Sequence, residues 1–344
     1  MIRKIRKIID FLLAIVSFLF FIFVWQAIYV SKDYDTSDKL FLIEKGQSLS
    51  QISKNLEEQG LIKDNFLFDC YIYMKTNQGN LQAGEHILRS SMSISKIAEA
   101  IVSGETIKEA IVIPEGWNLR DVGWYFENKG MFQAEELFEL VGFPVAENSS
   151  FLFQDITGYD FLQDKPNNVG LEGYLFPDSY RINKGDSLEI IVGKMLNHFD
   201  KKLTKELRME IENQGKTIFE TVTMASLLEK EVRTVEDKKI VAGILWKRLK
   251  NKIPLQVDAT IVYITGKKTT NVSKTETRIN SPYNTYLHLG LPLGPICNPG
   301  IESLKSALYY EKSDYWYYLS TPEGETIFSK NLKEHNIAKV KYLK

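Results

Sequence analysis

The sequence is short of the residues that most often build metal sites and covalent catalytic sites. Its four histidines, His86, His198, His288 and His335, are scattered over 344 residues. None stands in a His-Glu-x-x-His or comparable spacing, which disfavours a zinc hydrolase. No Gly-x-Ser-x-Gly occurs, so a serine nucleophile on a strand-to-helix elbow has no support. The only cysteines, Cys70 in "FDCYIY" and Cys297 in "PICNPG", read as a buried thiol and a loop thiol rather than as a disulfide or a lipid-bearing pair. An excess of one charge is missing too: 43 basic residues face 44 acidic ones, leaving no basic face for a nucleic acid. No metal or cofactor is implied.

Long apolar runs are absent apart from one. Residues 11–30, "FLLAIVSFLFFIFVWQAIYV", carry no charge and follow Arg3, Lys4, Arg6 and Lys7. About 20 apolar residues cross a bilayer as a helix, and a basic flank favours the cytoplasmic side. Residues 1–10 are therefore expected as a cytoplasmic tail and 11–30 as a single transmembrane helix, with the rest of the chain outside the cytoplasmic membrane. A cleaved signal peptide is the competing reading, but the run ends in bulky residues without a small-residue cleavage site. A composition of 44% apolar and 25% charged residues describes a folded remainder long enough for two domains.

After a polar stalk over 31–40, an internal repeat appears. Residues 42–70, "LIEKGQSLSQISKNLEEQGLIKDNFLFDC", align without gaps on 112–140, "VIPEGWNLRDVGWYFENKGMFQAEELFEL", matching at Gly46 and Gly116, Leu49 and Leu119, and Gly60 and Gly130. Each copy reads as strand, glycine turn, amphipathic helix, glycine cap and second helix. The opening "IEKGQSLSQI" resembles that of LysM modules, which bind the N-acetylated glycan of bacterial walls. A LysM-like α+β module over 41–110 is the expectation, followed by a mixed α+β domain over 111–344 whose start, 111–141, repeats the first module's pattern. Residues 142–170 read as a long irregular connection. Helices are expected near 186–213, 216–233 and 235–250, a strand or helix at "LQVDATIVYITG", and two strands and a helix at the C-terminus. The aromatic run Tyr315 to Tyr318 could stack on sugars, though alternation favours core packing for half of it.

Along residues 222–237, which include "TMASLLEKEV", at about 100° per residue Met224, Leu227, Leu228, Val232 and Val235 share one helix face, and Glu231 falls among them. Glu229 points about 200° away, towards Arg233, its partner in a solvated i, i+4 pair. A carboxylate on an apolar stripe either meets a buried arginine or helix end, or is held protonated as a general acid. The segment 281–300, "SPYNTYLHLGLPLGPICNPG", adds a rigid loop with hydrogen-bonding groups suited to neutral sugars, or simply a stiff connector.

Taken in order and spacing, "MASLLEKEV", "RLKNKIPLQVDATIVY", the 281–300 loop and "FSKNLKEHN", with "EGYLFPDSY" and "IPEGWNL", resemble the endolytic murein transglycosylase family, also called YceG-like. The resemblance covers nearly the whole exported part. It implies cleavage of the β-1,4 bond between N-acetylmuramic acid and N-acetylglucosamine in peptidoglycan strands, leaving 1,6-anhydro ends. By the same resemblance Glu231 is the catalytic acid, and Gln256, Asp258, Tyr283, Asn284, Thr285, Tyr286 and Asn298 line the site. Peptidoglycan synthases such as penicillin-binding proteins are the implied working partners, with termination of strand elongation as the role. Leu293, Val257 and Thr326 depart from the family's usual proline, small hydroxyl residue and histidine. The rivals are a hydrolytic muramidase pairing Glu231 with Asp258, Glu172 or Asp178, and a membrane-anchored glycan-binding scaffold.

Overall fold

The structure, a computed structural model, describes residues 2–31, 35, 37–75, 81–103, 108–142, 158–183, 186–269 and 271–343. The side chains of the N-terminal basic cluster, residues 32–34 and 36 of the expected stalk, and residues 143–157 of the expected irregular connection lie outside the described residues. The fold is mixed α+β and divides into two units, residues 1–111 with 181–187, and 112–180 with 188–344.

The N-terminal unit begins with helix α1 (Ile2–Tyr29). Its described side chains are exposed and apolar over most of their length, including Phe18, Leu19, Phe20, Phe21 and Phe23. Among the described residues no helix is long and apolar enough to cross a membrane. The last turns of α1 pack on the unit's core, where Ile28 is buried and Val24 lies against it. Strand β1 (Lys39–Ile43) starts inside the expected stalk and alternates, turning Phe41 and Ile43 inward. It is followed by α2 (Leu49–Glu58), α3 (Asn65–Lys75), β2 (Gly84–Leu88) and α4 (Ile94–Ser103). β1 and β2 pair antiparallel, with Leu40 opposite Ile87 and Phe41 opposite His86. Ile52, Leu56, Phe68, Ile72, Leu88, Ile97 and Ile101 complete the core.

Strand β3 (Lys108–Val112) leads into the second copy of the repeat, α5 (Leu119–Asn128) and α6 (Ala134–Val141). The copies share their caps. Ser48 and Asn118 each accept a hydrogen bond from the third residue of their helix in a capping box, and Gly46 and Gly116 turn with φ of 85° and 79°. Strand β4 (Ser179–Asn183) pairs with β3.

The remainder of the second unit comprises α7 (Leu188–Lys202), α8 (Lys205–Asn213), α9 (Ile218–Glu231), α10 (Val235–Lys250), α11 (Asp258–Thr265), α12 (Ile301–Leu308), β5 (Tyr317–Ser320), β6 (Thr326–Ser329) and α13 (Leu332–Tyr342). The ambiguous segment at "LQVDATIVYITG" is thus a helix, capped by Gly266 in the left-handed region. Helix α9 is central: residues 221–228 are buried without a break. Its small polar residues make this possible. Ser226 donates to the Thr223 carbonyl at 2.7 Å and accepts from the Ile296 amide at 3.0 Å, which brings the 281–300 loop directly onto the helix.

Candidate active site

Glu231 is the last residue of α9, where Val232 turns to extended backbone and ends the helix. Its side chain is half-buried and has a donor on each oxygen. The Tyr318 hydroxyl, from β5, donates to Oε2 at 2.9 Å. The Ala259 amide, in the first turn of α11, donates to Oε1 at 3.4 Å. Ser320 holds the same end of the helix by donating to the Glu231 carbonyl at 3.1 Å. Loss of water around the carboxyl raises its pKa to about 7, and the nearby charge of Asp258 pushes the same way, while the Tyr318 and Ala259 donors pull it down. Near neutral pH this carboxyl can therefore both release and accept a proton.

Around it the structure places the other expected residues in two groups. Gln256 and Asp258 are exposed and Tyr286 is half-buried; the Tyr286 hydroxyl donates to Asp258 Oδ1, and Glu231 lies close enough to raise the Tyr286 pKa further. Gln256 has left-handed backbone, φ 54°, which a non-glycine residue adopts at a cost of about 1 kcal/mol or more. Its amide donates to the Thr285 carbonyl at 3.1 Å, and the next amide, Val257, donates to Thr285 Oγ1 at 3.0 Å. Thr285 is buried and fixes the start of α11, and with it the amide facing Glu231.

Asn284, Tyr283 and Asn298 are also buried. Asn284 Nδ2 donates to the carbonyls of Thr277 at 3.1 Å and Ile279 at 2.8 Å, while its Oδ1 accepts from the Tyr286 amide. Asn298 Oδ1 accepts from the amides of Gly173 and Leu175, each at 3.0 Å, and its Nδ2 donates to the Trp117 carbonyl at 3.0 Å. The ring of Tyr283 packs 5.0 Å from that of Tyr263. Asn284 and Asn298 thus tie down loop backbone, and Tyr283 packs within the same core.

The wet role expected for Glu229 is overturned. Its carboxylate is nearly enclosed, pairs with Lys238 at 3.1 Å, and accepts from Ser303 Oγ at 2.6 Å and the Gly300 amide at 3.0 Å. It therefore caps the N-terminus of α12, where negative charge is favoured. Periodicity failed here because α9 is covered on every side over 221–228, so the turn that carries Glu229 follows a stretch with no wet face. A Cβ on Gly300 would lie 2.0 Å from Glu115 Oε1, so a side chain here would have to displace the Glu115 carboxylate.

Tyr318 was visible in the sequence only as one of an aromatic run; nothing local linked it to Glu231. Arg248 opens the quoted motif "RLKNKIPLQVDATIVY" without a role assigned to it, yet its buried guanidinium donates to the Leu255 carbonyl at 2.8 Å and the Trp316 carbonyl at 3.0 Å. Of the three acids weighed as second carboxylates, Glu172 is buried and accepts from the Leu119 amide at 3.1 Å and the Tyr263 hydroxyl at 3.0 Å. Asp178 faces His198 at 3.1 Å. Among these acids only Asp258 acts electrostatically on Glu231. Thr326, at the position of the family's histidine, donates to Asp237 Oδ2 at 2.9 Å.

A profile of the YceG-like family matches residues 41–341. The endolytic murein transglycosylase of Bacillus subtilis (strain 168) is 33% identical over 322 residues, covering 91% of this chain and 87% of that protein. Its counterpart in Streptococcus pneumoniae serotype 2 (strain D39) is 31% identical over 315 residues, 86% of this chain; the chain spans 56% of that relative's length. Among solved structures, the yceG-like protein lmo1499 of Listeria monocytogenes matches with a TM-score of 0.60 at 32% identity, over 88% of this chain and 99% of that one. The family match takes in both copies of the repeat, helix α9 with Glu231, the 281–300 loop and β5 with Tyr318, and the chain belongs to the YceG-like family.

Proposed function

We propose that this protein is an endolytic lytic transglycosylase that cuts the β-1,4 bond between N-acetylmuramic acid and N-acetylglucosamine in peptidoglycan strands and leaves 1,6-anhydro ends. The observation that carries the reading is the state of Glu231: one half-buried carboxyl, its pKa raised to about 7, with a donor on each oxygen. The relatives named endolytic murein transglycosylase, similar over most of this chain, support the substrate class.

Protonated Glu231 gives its proton to the glycosidic oxygen as the bond to the muramic acid C1 breaks, through an oxocarbenium-like state. The carboxylate so formed is held by the Tyr318 hydroxyl and the Ala259 amide. It then takes the proton of the muramic acid 6-hydroxyl as that oxygen closes on C1. One carboxyl serves both steps because the second nucleophile belongs to the substrate. A hydrolase would instead use a second acid, roughly 5 to 9.5 Å away; of Asp258, Glu172 and Asp178, Asp258 is the one whose charge acts on Glu231, and the Tyr286 hydroxyl already occupies one of its oxygens. Gln256, Asp258 and Tyr286 stand on the exposed side to meet the sugars, with Thr285, Asn284, Tyr283 and Asn298 supporting them from within.

Helix α1 anchors the enzyme in the cytoplasmic membrane, N-terminus inside and catalytic unit outside. Its uncharged run over 11–30 and preceding basic cluster support this. The β1–α2–α3–β2 order with an antiparallel β1–β2 pair supports a LysM-like glycan-binding module. Placed there, the enzyme works beside peptidoglycan synthases and ends the elongation of nascent strands. The test is digestion of purified glycan strands by the protein and by Glu231→Gln: loss of cleavage in the variant with the fold intact supports the assignment, and retained cleavage overturns it.

A further inference from the structure

Helix α3 is apolar on two sides. Phe68, Tyr71 and Ile72 face the core of the N-terminal unit, whereas Phe66, Tyr73 and Met74 point outward, 68%, 69% and 71% exposed. With half-buried Cys70 between them, these positions fall at i, i+4, i+7 and i+8 and form one stripe. Of the two charged side chains on α3, Lys75 ends the helix and Asp69 is half-buried. An outward stripe of large apolar groups on a helix already packed on its inner side marks a surface that contacts something apolar.

What lies against it follows from α1. The uncharged run ends at Val30, so residues 24–29 fall within roughly the last 9 Å of the span. Those residues are the ones that pack on the unit: Val24 lies against its core, Ile28 is inside it, and the Tyr29 ring meets Tyr71 of α3 edge-on at 6.3 Å. Helix α3 is therefore held against the end of the span through Tyr71, which brings its outward stripe near the membrane boundary. Trp25 and Tyr29, 5.9 Å apart, together with Tyr71 and Tyr73, are the residue types that favour the boundary between headgroups and acyl chains.

We propose that α3 lies in the interface of the membrane's outer leaflet, with Phe66, Tyr73 and Met74 set among the headgroups and upper acyl chains beside α1. This rests on the reading of α1 as a membrane anchor. The partner is a lipid surface, and the N-terminal unit rests on the bilayer instead of standing off on a free stalk.

The test uses the full chain reconstituted in phosphatidylcholine–phosphatidylglycerol vesicles, in a Cys70→Ser background whose remaining cysteine, Cys297, is fully buried. An environment-sensitive fluorophore is attached at Tyr73→Cys or, in a second protein, at Met74→Cys. Ser17→Cys in α1 reports on the anchor. Phospholipids brominated in the upper acyl chain should quench the α3 labels with a loss comparable to that of the Ser17→Cys label, and aqueous iodide should leave them bright. Quenching of the α3 labels by iodide, with the Ser17→Cys label quenched by brominated lipid, overturns the proposal and leaves the anchor standing. Protection of the α3 labels from both quenchers also overturns it, because protein then covers the stripe. A Ser17→Cys label untouched by brominated lipid removes the anchor and the proposal together.

Discussion

The hydroxyl of Tyr318 donates to Oε2 of Glu231 across 2.9 Å, joining the second residue of β5 to the end of α9, 87 positions earlier in the chain. The bond opposes the effect of burial on the carboxyl. Replacing Tyr318 with phenylalanine should therefore raise the pKa of Glu231 further and move the alkaline limb of kcat/KM upward, with kcat reduced because the carboxylate loses a donor. Asp258→Asn should move the same limb downward, since its negative charge raises the Glu231 pKa. A pH profile of kcat/KM for both variants checks the opposed shifts; shifts in the same direction would contradict this account of the site.

The same pKa appears in stability. Below the ordinary carboxyl value of 4.5 Glu231 is protonated both folded and unfolded, so it has no effect. Between 4.5 and about 7 the unfolded chain ionises while the folded protein keeps its proton, and the wild type loses stability as pH rises. Glu231→Gln should be more stable than wild type by roughly 3 kcal/mol at pH 8, with the advantage vanishing near pH 4. Urea unfolding at the two pH values measures it.

Glu229→Gln should act on the fold and not on the chemistry. It leaves Lys238, which is buried, without its anionic partner and weakens the cap on α12. A loss of about 3 kcal/mol is expected, seen as a lower Tm, while the enzyme that remains folded makes the same product ends.

Asn298→Ala should likewise lower stability, by roughly 2 to 4 kcal/mol, because the buried amides of Gly173 and Leu175 lose their acceptor. If Asn298 supports the loop from within, KM for glycan in the folded fraction stays near the wild-type value, and a large rise in KM would place its side chain against the sugar instead.

What could be read from residues alone follows from the range of the interactions. The repeat was legible because its glycine turns and capping boxes are local: α2 and α5 carry the same caps at matching positions. Glu231 stood out because an acid amid Leu227, Leu228 and Val232 is costly wherever the helix packs. Glu229 departs from the periodic reading because its partners, Lys238, Gly300 and Ser303, come from α10 and from the start of α12, and periodicity assigns a wet face that the covered stretch 221–228 lacks. Asn284 and Asn298 bond to amides and carbonyls of an irregular buried backbone, a need that residue type alone does not separate from sugar binding. Tyr318 and Arg248 act across 87 positions and across 68 to Trp316, distances over which no spacing rule operates.

The central claim is that one carboxyl, Glu231, both breaks the glycosidic bond and lets the muramic acid 6-hydroxyl close the ring. Mass spectrometry of the new ends made from glycan strands tests it most directly, with the reaction run in ¹⁸O-labelled water. The account predicts 1,6-anhydro ends, lighter than reducing ends by one water and free of label. Labelled reducing ends from the wild-type enzyme would contradict it and point to hydrolysis through Asp258.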